Sequence, residues 1–147
     1  MKFNKGLFLI QGEMLTLKLI DTYNGNTSEL PFYWYEIILN PINKPIGKIS
    51  IRIGHNSNSY YNGNIGYEID KEYRGHSYAF LACKMILTVA KHHNMDKINL
   101  TCNYNNIASY KTIEKLGAQL IEIVTPPKDY AFYYANMPPQ RIYQLDI

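Results

Sequence analysis

The sequence predicts a mixed α/β domain, with a mostly antiparallel sheet of about seven strands and helices on its faces. Three observations carry this. Short alternating or β-branched runs, parted by turn residues, fill positions 15–70 like a meander. A helical apolar period then runs from Gly75 to His93. After it, strand, helix and strand patterns alternate to the end of the chain.

The elements follow in order. Met1–Ile10 has a basic front and a short apolar stretch with no small-residue cleavage site after it, so it reads as a leading strand or a loose arm rather than a signal peptide. Leu15–Ile20 alternates as a strand. Asp21–Pro31, rich in Asn, Thr, Ser and Gly, is a loop. Phe32–Leu39 is a second strand. The Asn40–Pro45 segment is a turn, because two prolines do not suit a paired strand. Gly47–Ile53 is a third strand, Gly54–Gly63 a polar loop, and Asn64–Asp70 a fourth strand with Gly66 as a bulge. Within 75–93, Tyr78, Leu81, Ala82, Met85, Ile86 and Val89 keep i, i+3, i+4 spacing, and a right-handed crossover sets the next strand, Lys97–Cys102, parallel to the fourth. Asn106 caps a helix over Ile107–Leu116 that Gly117 ends. Ala118–Thr125 is a sixth strand, Lys128–Gln140 a long loop, and Arg141–Ile147 a seventh strand whose edge is available for a homodimer.

At 147 residues and 46% hydrophobic, the whole chain 1–147 is expected to be one domain with a proper core. A net charge of +3 without any block of like charge gives no nucleic-acid or membrane-surface footprint. No apolar run reaches the ~18 residues of a membrane helix. Cys83 and Cys102 are too few for a disulfide framework, which fits a reducing, cytoplasmic setting. His92-His93 lacks a third ligand at metal spacing, so no metal site is expected. Tyr33-Trp34-Tyr35, Tyr60-Tyr61 and Tyr130, Tyr133 and Tyr134 form an aromatic set, read either as packing or as a cage for a cationic amine.

The chemistry concentrates at Arg74-Gly75-His76-Ser77-Tyr78-Ala79, between the fourth strand and the long helix. A strand, a tight turn and a helix start expose main-chain N–H groups at the positive end of the helix dipole, an anion site that Arg74 reinforces with a guanidinium. If position 77 needs a positive φ, Ser77 is strained there. A second block, Asn106-Ile107-Ala108-Ser109, leads into Glu114-Lys115-Leu116-Gly117-Ala118.

Together, Arg74-x-x-Ser77-x-Ala79 and the Asn106 block resemble the GNAT family of N-acetyltransferases, over about Ile46–Thr125. The chain looks closest to small bacterial members of unassigned substrate. It departs from the family in Ser77, where Gly is usual, in Ile113, where many members have a Tyr, and in a 21–31 segment too short for two helices. The resemblance implies a GNAT-like acyl-CoA N-acyltransferase fold with acetyl-CoA as co-substrate. It implies a cofactor site at Ile69, Arg74, Gly75, His76, Ser77, Tyr78, Ala79, Asn106 and Ser109, with pyrophosphate on the turn amides, pantetheine at Asn106, and the oxyanion met by a main-chain N–H near Ile69. It implies Ser109 as proton donor to the thiol, with Tyr110 as second choice.

Acyl transfer to an amine needs the free base. With a pKa of about 10.4, only about 0.04% of a lysine-like amine is free at pH 7, a deficit of roughly 4–5 kcal/mol. Glu68, six residues before Arg74 and pointing opposite to Tyr67 and Ile69, is the expected general base, against the plainer reading of a salt-bridged surface residue. The expectation is direct ternary-complex transfer of acetyl to a primary amine of a small-molecule or peptide acceptor. The alternatives are a non-catalytic CoA-binding sensor or interaction module with this fold, and a phosphate-binding α/β protein unrelated to CoA.

Overall fold

In a computed structural model describing residues 1–147, eight strands form two sheets rather than one. The first holds β1 (Leu9–Gln11), β2 (Leu15–Tyr23), β3 (Phe32–Leu39), β4 (Lys44–Arg52) and β5 (Ile65–Ile69), in that order. Every pairing in it is antiparallel, as a meander dictates. The second holds β6 (Lys97–Asn103), β7 (Gln119–Val124) and β8 (Gln140–Asp146) in the order β6-β8-β7.

Alternation decides which face is buried. In β3, Tyr33, Tyr35, Ile37 and Leu39 are buried while Trp34, Glu36 and Ile38 are only half so. Across the buried face lies α2 (Tyr78–His92), whose Ala82, Cys83, Ile86, Val89 and Ala90 pack against β2, β4 and β5. These belong to one core of 24 residues spanning both sheets. Each fully buried Ile or Leu there contributes about 1.5–3 kcal/mol. α3 (Ile107–Lys115) packs on β6 and touches α2, with Ile113 at 1% exposure sealing that contact. The opposite face of the first sheet mixes polar side chains with Phe32, Trp34 and Ile38. One register row across it runs Lys18, Glu36, Lys48, Glu68 with alternating sign.

Several expectations change. The Lys97 strand does not pair beside β5. The two sheets meet only where β5 begins, through Asn64 N–H donating to Asn99 O (2.7 Å) and Asn99 N–H donating to Asn64 Oδ1 (2.9 Å). Beyond that point the strands part. Residues 54–63 are not all loop. Ser57–Asn62 form a short helix, α1, because Asn56 and Ser59 make a reciprocal capping box. Gly66 makes no bulge, since the β4–β5 ladder runs unbroken through Ser50 and Gly66. Pro45 does lie in β4, where a register shift between Ile37 and Ile38 removes the need for its N–H. The Arg141 strand is not an edge. β8 sits between β6 and β7, so a dimer through its edge is ruled out and the outer edges belong to β1 and β7. The N-terminus is a 3-10 turn over Lys5–Leu7 followed by the short strand β1, and not a loose arm. Leu7 is buried, its carbonyl accepts from Tyr35 Oη (2.7 Å), and Asn4 N–H donates to Tyr33 Oη (2.9 Å).

Candidate active site

The parting of β5 from β6 opens a cleft of about 920 Å³, walled by β5, the turn before α2, the end of β6, the first turn of α3 and the β7–β8 loop. Its chemistry starts from register. Asp70 N–H donates to Ile46 O, and Arg52 N–H to Asn64 O. In an antiparallel ladder these fix the hydrogen-bonded pairs, so the alternate residues Tyr67 and Ile69 turn their N–H and C=O groups away from β4. Both strips of backbone therefore face the cleft. Gly47 lets β5 sit this close, since a Cβ there would lie 2.2 Å from Glu68 O.

At the end of β5 the chain makes a 3-10 turn over Lys71–Tyr73 and enters α2. Arg74 Nε donates to Ile69 O at 2.9 Å, so the guanidinium is anchored across the mouth and its remaining N–H groups are left for a ligand. Gly75 and Ser77 both have positive φ, 86° and 64°. The Ser77 hydroxyl makes no cap bond to the helix. The first N–H groups of α2 thus lack a side-chain acceptor at a turn shaped for an anion.

The facing wall is α3. Asn106 Oδ1 accepts from Ser109 N–H (3.2 Å), and Ser109 Oγ lies 3.3 Å from Tyr67 Oη. Burial raises the Tyr67 pKa, opposed by hydrogen bonds from Ser109 and Thr112. Burial also raises Cys102, beside Ser109, so that it stays a thiol at neutral pH. Glu68 lines the cleft from the other face of β5 and is exposed. Its ladder partner is Lys48, whose ammonium lies 5.1 Å from the Trp34 ring centre. The far wall is aromatic. Tyr61 meets Tyr130, and Tyr130 meets Phe132, at centroid distances of 5.6 and 5.7 Å. Phe132 and Tyr134 are 59% and 54% exposed, too open to be core packing.

The cleft thus gathers Glu68, Ile69, Arg74, Gly75, Ser77, Tyr78, Ala79, Asn106 and Ser109. It does not gather the other two. His76 stacks outward on Tyr78, and Tyr110 lies under the Arg141 guanidinium, 4.0 Å from its ring centre, outside the lining. Sequence reasoning missed Tyr67, Cys102 and Thr112. Tyr67 had a signal: it alternates with Glu68 and so must face the helices, as a hydroxyl among apolar neighbours. No group of three or more His, Cys, Asp or Glu is placed to hold a metal ion. No helix is long and apolar enough to cross a membrane.

Residues 13–119 match the family model described as Acetyltransferase (GNAT) domain. No curated protein sequence matches the chain. Among solved structures, an acetyltransferase (GNAT family) from Bacillus anthracis is similar at 21% identity and a TM-score of 0.61, over 77% of this chain and 65% of that one. A ribosomal-protein-S5-alanine acetyltransferase from Vibrio fischeri is similar at 15% identity and a TM-score of 0.68, over 94% and 96%. The microcin C7 self-immunity acetyltransferase MccE, solved with acetyl-CoA and AMP, is similar at 19% identity and a TM-score of 0.61, over 79% and 61%. These likenesses are of fold. The chain spans less than two thirds of the first and third proteins and nearly all of the second.

Proposed function

Because the chain belongs to the GNAT family of acetyltransferases, we propose that it moves an acetyl group from acetyl-CoA to a primary amine by direct transfer in a ternary complex. The observation that carries this is the free backbone edge of β5 beside the strained turn. Tyr67 and Ile69 offer amides along a cleft that ends at Arg74 and the start of α2. Pyrophosphate on the turn amides and Arg74 would set the pantetheine arm along β5, with Asn106 on its other side. The thioester carbonyl then lies against outward N–H groups, which stabilise the oxyanion by a few kcal/mol where water is excluded.

Glu68 takes the proton from the attacking amine, directly or through one water. The departing thiolate takes a proton from Ser109. With Ile113 buried in the core, Tyr67 is the phenol within reach of Ser109 and replenishes it. Burial raises the Tyr67 pKa, so the phenol holds its proton at neutral pH. Direct transfer is favoured over an acyl-cysteine route because burial holds Cys102 as the weakly nucleophilic thiol.

The test is calorimetric binding of CoA together with thiol release from acetyl-CoA across an amine panel. Wild type should bind CoA and release thiol with at least one amine. Arg74→Ala should weaken CoA binding, reading out the pyrophosphate contact. Absence of CoA binding would overturn the proposal, and binding without release for any amine would favour a CoA sensor.

A further inference from the structure

A smaller chamber adjoins the cleft. It occupies about 150 Å³ between the β2–β3 loop, β4, α1 and the β7–β8 loop. Asn62 and Phe132 line both spaces, so the chamber lies next to the end of the cleft opposite the Arg74 turn. Its informative residue is Arg52, at the end of β4, on the face that also carries Lys48 and Ser50.

Arg52 is half-buried, yet its side chain makes one hydrogen bond, a long one of 3.4 Å from Nη1 to Gly63 O. A guanidinium carries five N–H donors in a rigid fork, so most of these have no protein acceptor. Burial lowers its proton affinity, while Tyr130 and Glu29 oppose that shift, but an arginine stays charged at neutral pH. None of its nitrogens is buried without a partner, so the free N–H groups of the fork open on water in the chamber, where a ligand's oxygens can replace it. Around it stand side-chain amides. Asn58 uses its Oδ1 to accept from Ala131 N–H (3.1 Å), which leaves its NH₂ group to donate. Seven of the eleven lining residues are polar or charged, and Phe32 and Phe132 give it aromatic sides. Glu29 also lines it and is exposed. That single negative charge disfavours a dianion, and the volume suits a carboxylate better than a phosphate.

We propose that this chamber is the acceptor's acid subsite, and that the acceptor is a small amine bearing a carboxylate, gripped by the Arg52 fork. The inference rests on the acetyl-transfer reading and names its substrate class. With the carboxylate held at Arg52, the amine passes Asn62 and Phe132 toward the thioester, beside the aromatic wall that favours a cationic amine before it is deprotonated. The ammonium first loses one proton to Glu68, which passes it on to solvent. The neutral nitrogen attacks the acetyl carbon, the C–N bond forms and the C–S bond breaks. Glu68 receives the second amine proton, and the thiolate leaves with a proton from Ser109. The products are an N-acetylated amino acid and free CoA.

The experiment compares thiol release for matched amines: L-amino acids, the same compounds decarboxylated, the same with the carboxyl amidated, aminoalkyl phosphates, and short peptides with a free N-terminus. Wild type should favour the carboxylated amines by tenfold or more in kcat/KM. Arg52→Gln should raise KM for the acids about tenfold, leaving CoA affinity and the poor turnover of decarboxylated amines unchanged, while Arg52→Lys should recover part of the loss. Equal use of carboxylated and decarboxylated amines by wild type overturns the proposal without needing a variant. So does preference for aminoalkyl phosphates or for peptide N-termini, or an Arg52→Gln loss shared equally by every amine. CoA binding with no turnover of any carboxylated amine also counts against it. Failure to bind CoA at all would instead sink the acetyl-transfer reading on which it rests.

Discussion

Ser77 carries a cost that its place in the turn requires. At φ 64° and ψ 20° it occupies the left-handed region, and its hydroxyl gains no cap bond in return. A non-glycine residue there is strained by about 1–2 kcal/mol. Ser77→Gly removes that strain, though glycine gives back some of it through the freer unfolded chain. The expected net gain is about 0.5–1 kcal/mol, or roughly 1–4 °C in Tm for a domain of this size. A scanning-calorimetry Tm that falls would mean the side chain contributes something the geometry does not reveal. Glu68 makes the sharper functional case. Glu68→Gln should lower kcat by about a hundredfold at neutral pH, as loss of a general base does. The deficit should shrink as pH approaches the amine's own pKa, where free amine needs no base. A pH–rate profile parallel to wild type would remove Glu68 from that role.

Among the elements, α2 was the most legible in the sequence, and the reason is physical. Its apolar period is long, and Ala82, Ile86 and Val89 are buried at the spacing read from the chain. α1 was not legible, because Ser-Asn-Ser-Tyr-Tyr-Asn has weak helix propensity and is held by its capping box. β4 was read three residues short at its start because Pro45 signals a break, and a bulge at Ile46 of β4 itself makes room for it. Sheet membership was illegible for a different reason. Alternation fixes which face a strand buries, but not which neighbour it pairs with, so the place of β8 between β6 and β7 carried no local mark. The Arg74 turn and the Asn106 cap were readable because each uses residue types with one local job. Arg52 was not, because a charged residue at a strand end looks like any solvated one. The helix also yields a prediction. Cys83 is fully buried on α2, and burial pushes its thiol up from the ordinary 9.0 to about 12. Its folded pKa is raised, so its contribution to stability is complete below about pH 9 and is lost as pH climbs through about 12. Native protein at pH 8 should leave Cys83 unmodified by a thiol reagent, and labelling should appear only with denaturant. Rapid native labelling would contradict the packing.

The molecule as a whole is two sheets that share one core and are hydrogen-bonded to each other at one residue. Asn64 is fully buried; besides its two contacts with Asn99, its Nδ2 donates to Arg52 O (3.1 Å) and Gly54 O (2.8 Å). Asn64→Ala leaves the buried Asn99 N–H without its acceptor, at about 1–3 kcal/mol, and takes a donor from the half-buried Arg52 and Gly54 carbonyls. The expected result is a Tm lower by several degrees, with weaker CoA binding in the fraction that stays folded. An unchanged Tm would mean the sheets are held together elsewhere. The junction also acts as a ruler. β5 is five residues long, about 17 Å from the anion turn to the junction at Asn64. A thioester laid along it has its acyl end toward the apex where β5 and β6 join, whose width is set by that junction. Two-carbon donors should therefore outpace propionyl and butyryl ones in steady-state rates. Loosening the junction should blunt this discrimination by chain length even where overall turnover declines.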